Sequence, residues 1–95
     1  MELTPIHTKI EKMIQIKLGT IVLEEHSGFP LSDSNLYLVS ANGNIAWKAE
    51  KPEPRTLFSR LKLNDDSTLS TFTTSGQFCD INLETGKIIS SSTFK

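Results

Sequence analysis

Few side chains in this sequence are placed to do chemistry. His7 and His26 are the two histidines, and Glu24-Glu25 precedes the second. On a strand Glu24 and His26 would share a face, because side chains alternate. A metal site using His26 and Asp33 is conceivable. Neither histidine belongs to a ligand-spaced Cys/His cluster, so a solvated strand end is the stronger reading. Asp65-Asp66-Ser67 puts two acids in one turn but lacks the glycine and distal glutamate of an EF-hand loop. Glu50, Glu53, Asp80 and Glu84 are scattered, and their spacing sets no two on one wall of a pocket, as acid–base hydrolysis requires. Ser27-Gly28 lacks the flanking glycines of a nucleophile elbow. No Gly-rich phosphate loop exists. Cys79, the single cysteine, has no neighbouring histidine in sequence to activate it and reads as a small apolar residue in a strand. The expectation is a chain with no catalytic, cofactor-binding or metal-binding residues.

Charge and composition narrow the partners. The formal net charge is −1 over 95 residues, with no basic stripe and no acidic tail. Nucleic-acid binding needs basic residues interleaved with aromatics. The best local candidate is Phe58, Arg60 and Lys62 on one strand face, with Phe72, Phe78 and Arg55 joining after folding. Near-zero charge ranks that function low, and no nucleic acid is expected. No stretch nears the roughly 20 apolar residues of a membrane helix, and the N-terminus lacks signal-peptide organisation. A lone cysteine fits a reducing, cytoplasmic setting.

The elements that must position these residues are mostly strands. Ninety-five residues suit one domain, with a 1–34 helix/strand region and two meanders over 35–95. Thr4-Pro5 reads as a helix start, followed by Ile6, Ile10, Met13 and Ile14 at helical spacing. From Ile14 the period becomes two, so one long strand is the alternative. Thr20 to Glu25 is a strand after a turn or bulge at Gly19, and Ser27 to Asn35 is a loop.

The sharpest signal is Asn42-Gly43 between Leu36–Ala41 and Asn44–Glu50. A two-residue type I′ turn there pairs Leu38 with Trp47, Ser40 with Ile45 and Leu36 with Ala49. Leu36, Leu38, Ile45, Trp47 and Ala49 then form one apolar face, with Tyr37, Val39 and Lys48 on the other. After the KPEPR break (Lys51 to Arg55), strands are predicted over Leu57–Leu63, Thr68–Thr74, Gln77–Leu83 and Lys87–Thr93. The fold class is all-β: antiparallel meanders of about eight strands, packed as a sandwich, a flattened barrel or propeller-like blades, with or without the short N-terminal helix.

From about Asn35 onward the sequence resembles quinoprotein-type β-propeller repeats. A blade there is a four-stranded antiparallel meander. The family's Asp-x-x-Thr-Gly-Lys-x-x-Trp turn joins its third and fourth strands, and the tryptophan docks blade on blade. Asn82-Leu83-Glu84-Thr85-Gly86-Lys87 matches that turn with Asn82 for the aspartate and Ser90 at the tryptophan position. Gly43-Asn44-Ile45-Ala46-Trp47 matches its later part, with Trp47 at the docking position. The resemblance implies strand order and turn placement but no enzymatic role, since the family's quinone and calcium ligands have no counterparts here. Two blades do not close a propeller, so either several chains assemble or two meanders pack together.

The functional expectation is a non-catalytic β domain that mediates protein–protein interaction or self-assembly as a homodimer or higher homo-oligomer. Its expected interaction surface comprises Tyr37, Trp47, Lys48, Arg55, Phe58 and Arg60. The alternative is a small-ligand-binding domain or minor enzyme, with a pocket where Trp47 or Tyr37 meets His26, Asp33 or Arg55.

Overall fold

The computed structural model describes residues 4–64 and 67–93. The Asp65-Asp66 turn expected from sequence lies outside the described residues. Eight strands form two four-stranded antiparallel meanders. The first sheet runs β1 (Ile10–Ile16), β2 (Gly19–Glu24), β3 (Leu36–Val39) and β4 (Ile45–Lys48). The second runs β5 (Phe58–Leu63), β6 (Thr68–Thr73), β7 (Gln77–Asn82) and β8 (Ile88–Thr93). The all-β class and the four C-terminal strands stand as expected. The first meander, however, begins at Ile10 rather than within 35–95, because β1 and β2 complete it.

The N-terminal helix does not form among the described residues. Its helical-looking spacing comes from a bulge. Ile10 pairs with Glu24, but Lys12 pairs with Leu23, so Glu11 is the extra residue. A bulge flips the side chains that follow it. Ile10 therefore joins one face and Ile14 and Ile16 the opposite one.

The Asn42-Gly43 turn is also corrected. Gly43 has φ 89°, while Asn42 is not in the positive-φ region. The Gly43 amide donates to Ser40 O at 2.9 Å and the Ser40 amide to Asn44 O at 2.8 Å. The loop is thus three residues closed by a glycine in the left-handed region, not a two-residue type I′ turn. Val39 then pairs with Ile45, and a second irregularity restores Leu38 to Trp47 and Tyr37 to Lys48. The two deviations cancel beyond Ala46. Ile45 lies between them and leaves the apolar face, 42% exposed.

The two sheets repeat one pattern. Each has an irregularity in its first hairpin, none in its second, and one near the turn of its third. The shift between Ile10 and Lys12 corresponds to that between Phe58 and Arg60, and Leu38/Val39 corresponds to Asp80/Ile81. The correspondence distinguishes a front face and a rear face on each sheet. Ile21, Leu23, Leu36, Leu38 and Trp47 lie on the front of the first. Phe58, Leu61, Leu69 and Ile81 lie on the rear of the second. These residues build one core. Unlike faces meet, so the sheets stack in the same sense, like blades, and leave no closed barrel.

Polar ties fix the stack at both margins. Asn35, fully buried, donates from Nδ2 to Glu24 O at 2.8 Å and Phe58 O at 2.7 Å, and its Oδ1 accepts from the Phe58 amide at 2.8 Å. Its side chain thereby substitutes for a ladder residue between the sheets. At the other margin the Glu50 amide donates to Gly86 O at 2.8 Å, and Glu50 Oε1 accepts from the Ile88 amide at 2.8 Å. Between them Trp47 Nε1 donates to Leu83 O at 2.9 Å. Its indole rests on Gly86, where an added Cβ would lie 2.6 Å from ring atoms. Gly86 also has φ 75°, which L side chains seldom adopt.

Gly86→Ala is therefore expected to cost roughly 2–4 kcal/mol, combining backbone strain with overpacking. Chemical denaturation followed by Trp47 fluorescence checks it. An unchanged midpoint would show that the indole is not seated there.

Candidate interaction surface

The rear of the first sheet is covered by its own chain around Glu24 and Tyr37, while Met13, on the β1 side of the same face, is 54% exposed. Val22, Tyr37, Val39 and Ile10 form a small second cluster there. Glu24 follows Val22 by two residues and points the same way, fully buried. Its carboxylate accepts from the amides of Ile6 (2.6 Å), His7 (3.1 Å) and Thr8 (3.0 Å), and from the Tyr37 hydroxyl. Burial works to raise the Glu24 pKa, but the hydrogen bonds from Tyr37 and the three amides outweigh it and hold the group below its ordinary value. Burial and the Glu24 carboxylate push the Tyr37 phenol far above its ordinary range. One carboxylate thus pins segment 4–9 across the sheet.

The 26–34 loop closes over the same side. Phe29, 5% exposed, meets His7 edge to face at 4.9 Å. Asp33 accepts from Lys48 Nζ at 3.0 Å on both oxygens and lies 3.2 Å from His7 Nε2. Burial pulls its pKa up, and Lys48, the Ser34 amide and His7 together bring it below the usual value. Lys51 Nζ donates to the carbonyls of Leu31, Asp33 and Pro54, tying the loop to the break before β5. These partly exposed pairs order the loop more than they stabilise the fold. At the opposite end of the sheet, by the Gly19 turn, a cleft of about 450 Å³ is lined by Met13, Gln15, Lys17, Thr20 and Ser40.

Among the described residues the front of the second sheet is the open one. Register places Arg60, Phe72, Phe78 and Ser92 in one row across it, and Lys62, Ser70, Asp80 and Ser90 in the next. The Phe72 and Phe78 rings meet tilted by 57°, their centroids 5.1 Å apart, and Phe72 is 37% exposed. Asp80 accepts from Ser70 Oγ at 2.8 Å and Ser90 Oγ at 3.2 Å, while Asn64 Nδ2 donates to Ser70 Oγ at 2.8 Å. Arg60, Lys62, Ser90 and Ser92 are exposed. This face corresponds in the repeat to the Ile21/Leu23/Leu36/Leu38/Trp47 face of the first sheet, with Ser90 at the Trp47 position.

The residues expected to form an interaction surface separate. Trp47 and Phe58 enter the core, and Tyr37 is buried on the rear. Phe58 leaves the face it was assigned with Arg60 and Lys62 because the β5 bulge turns it inward. Lys48 faces Asp33, and Arg55 is exposed in the turn before β5. Arg60 alone of the six lies on the open face, with Lys62, Phe72 and Phe78 as its neighbours. Asp33 meets His7 rather than His26, and His26 sits 3.8 Å from Glu25. These groups do not gather around Trp47. Cys79 is buried on the rear of the second sheet, where burial and then Asp80 push its thiol up. Among the described residues no three His, Cys, Asp or Glu side chains gather to hold a metal ion, and no helix is long and apolar enough to cross a membrane.

No family model, curated protein or solved structure matches the chain.

Glu24→Gln is expected to destabilise by roughly 2–3 kcal/mol, since an amide replaces a carboxylate that receives charge-assisted hydrogen bonds. The wild-type contribution is complete above the ordinary carboxylate value of 4.5 and is lost as pH falls through the depressed folded value. The gap between wild type and variant therefore narrows on acidification. Melting temperatures between pH 7 and pH 3 check the sign; a gap that widens in acid would contradict it.

Proposed function

We propose that this chain is a non-catalytic binding domain that acts through the front face of its second sheet. The carrying observation is the stack itself. A face that in the first sheet receives a whole sheet is, in the second, left open. It presents a tilted Phe72–Phe78 pair flanked by Arg60 and Lys62. An aromatic pair, Phe72 exposed and Phe78 half-buried, rimmed by polar groups on a flat face suits protein partners better than small ligands, which favour concave sites.

The resemblance to quinoprotein-type propeller repeats supports the same reading. In that family the docking tryptophan joins blade to blade. Here Trp47 lies against Gly86 of the next sheet's Thr-Gly-Lys turn. A two-blade unit of such a kind works as a scaffold for further contacts rather than as a quinone enzyme.

A photoreactive phenylalanine analogue at position 72 tests the proposal in cells. It is expected to form a covalent adduct with protein of one defined mass, itself included. That adduct should weaken when Arg60 and Lys62 are replaced by glutamate. The same analogue at position 13, on the rear, should give none. Equal labelling from both positions, or none at 72, would contradict the proposal.

A further inference from the structure

Building on that reading of the open face, we infer that its occupant is a second copy of this chain, docked front to front about a two-fold axis parallel to the strands. The inference starts from which associations the fold permits. Head-to-tail stacking would place the open front on another copy's rear. Segment 4–9, held by Glu24, and the 26–34 loop already stand across the Glu24 end of that rear, where a flat sheet would have to lie. Repetition of the internal stack is therefore blocked. A front-to-front pair uses the same surface on both copies, which is the geometry of a closed dimer. It covers both open fronts and ends on two rears whose Glu24 ends the chain itself obstructs.

The rows decide the orientation. A two-fold axis across the strands would lay β5 over its own copy and bring Arg60 and Lys62 against their equivalents. An axis along the strands reverses strand order without changing level. It lays β5 over the second copy's β8 and β6 over its β7. Phe72 of each copy then meets Phe78 of the other, giving a four-ring cluster. Arg60 stands over Ser92. Lys62 stands over Ser90 and beside Asp80, the carboxylate of that row. The cationic margin of one sheet thus meets the hydroxyl-and-carboxylate margin of the other. A single register satisfies both rows because Arg60, Phe72, Phe78 and Ser92 share one level and Lys62, Ser70, Asp80 and Ser90 the next.

The size of the face sets the strength. Four strands about 4.8 Å apart, each some 20 Å long, give roughly 300–400 Å² per copy. That lies below the usual range for tight complexes, so a dissociation constant of roughly tens to hundreds of micromolar is expected. Charge should then govern pairing strongly, since little apolar area competes with it.

Sedimentation velocity on the full chain, from about 10 µM to 1 mM, tests the inference. Wild type is expected to shift reversibly from monomer to dimer and to stop there. Arg60→Glu with Lys62→Glu should weaken the dimer about tenfold or more, as should Ser90→Lys with Ser92→Lys. These four positions are exposed, so the melting temperature should hold. Mixing the two double variants should restore dimerisation, because each supplies the charge the other lacks. A wild type that stays monomeric throughout, growth beyond a dimer, or a dimer indifferent to the charge changes would each overturn the inference. So would a failed rescue. Strict monomers that still give a position-72 adduct of larger mass would overturn the second copy while leaving the binding face standing. Loss of both would remove the two together.

Discussion

The seat of Trp47 on Gly86 is the constraint on which the rest of the molecule depends. A four-stranded sheet hides its apolar face only against another layer. Here each sheet is the other's cover, and the indole is the largest side chain crossing between them. Its ring needs a neighbour without a Cβ, and its Nε1–H needs an acceptor. Gly86 and the Leu83 carbonyl supply both from one turn. Asn35 and Glu50, at the two ends of the β3–β4 hairpin, add backbone-like hydrogen bonds to β5 and β8. One hairpin of the first sheet therefore carries the core anchor and both polar margins.

The sense of that packing has consequences for everything outside it. Had like faces met, the two outer faces would be equivalent and would share one fate. Because unlike faces meet, they differ. The outer face of the first sheet is a rear, and the chain covers it with segment 4–9 and the 26–34 loop around the Glu24 carboxylate. The outer face of the second sheet is a front, and at its equivalent positions serine, aspartate and lysine replace most of the apolar residues. Among the described residues only Phe72 and Phe78 keep aromatic character there. Such a face tolerates water while keeping an aromatic centre.

The fold was largely legible in the sequence, and the site was not. Turn residues and period-two alternation locate β2 to β8 to within about a residue or two. They do so because turn chemistry and face patterning are local. Bulges are not local. The one at Glu11 made Ile10, Met13 and Ile14 look helical, and the one before Arg60 carried Phe58 into the core. At the β3–β4 turn two irregularities cancelled, so the expected pairing of Leu38 with Trp47 survived although the turn type did not. Asn35 and Glu24 escaped notice for a related reason. A loop asparagine and a strand-end glutamate look solvated until tertiary structure brings amides to them. The resemblance gave Trp47 a docking role and Ser90 the equivalent position, but that Trp47 meets the second sheet and Ser90 lies on that sheet's front is visible only in the tertiary structure.

If the two sheets stand only by covering each other, they must unfold together. The chain's single tryptophan sits at the joint, while far-UV circular dichroism reports all eight strands. Equilibrium unfolding in urea at one low protein concentration, followed by both signals, tests mutual dependence most directly. Coincident transitions with a single midpoint are the predicted result. An indole that becomes solvated at a lower urea concentration than the strands are lost would mean that the sheets hold themselves, and would contradict the account.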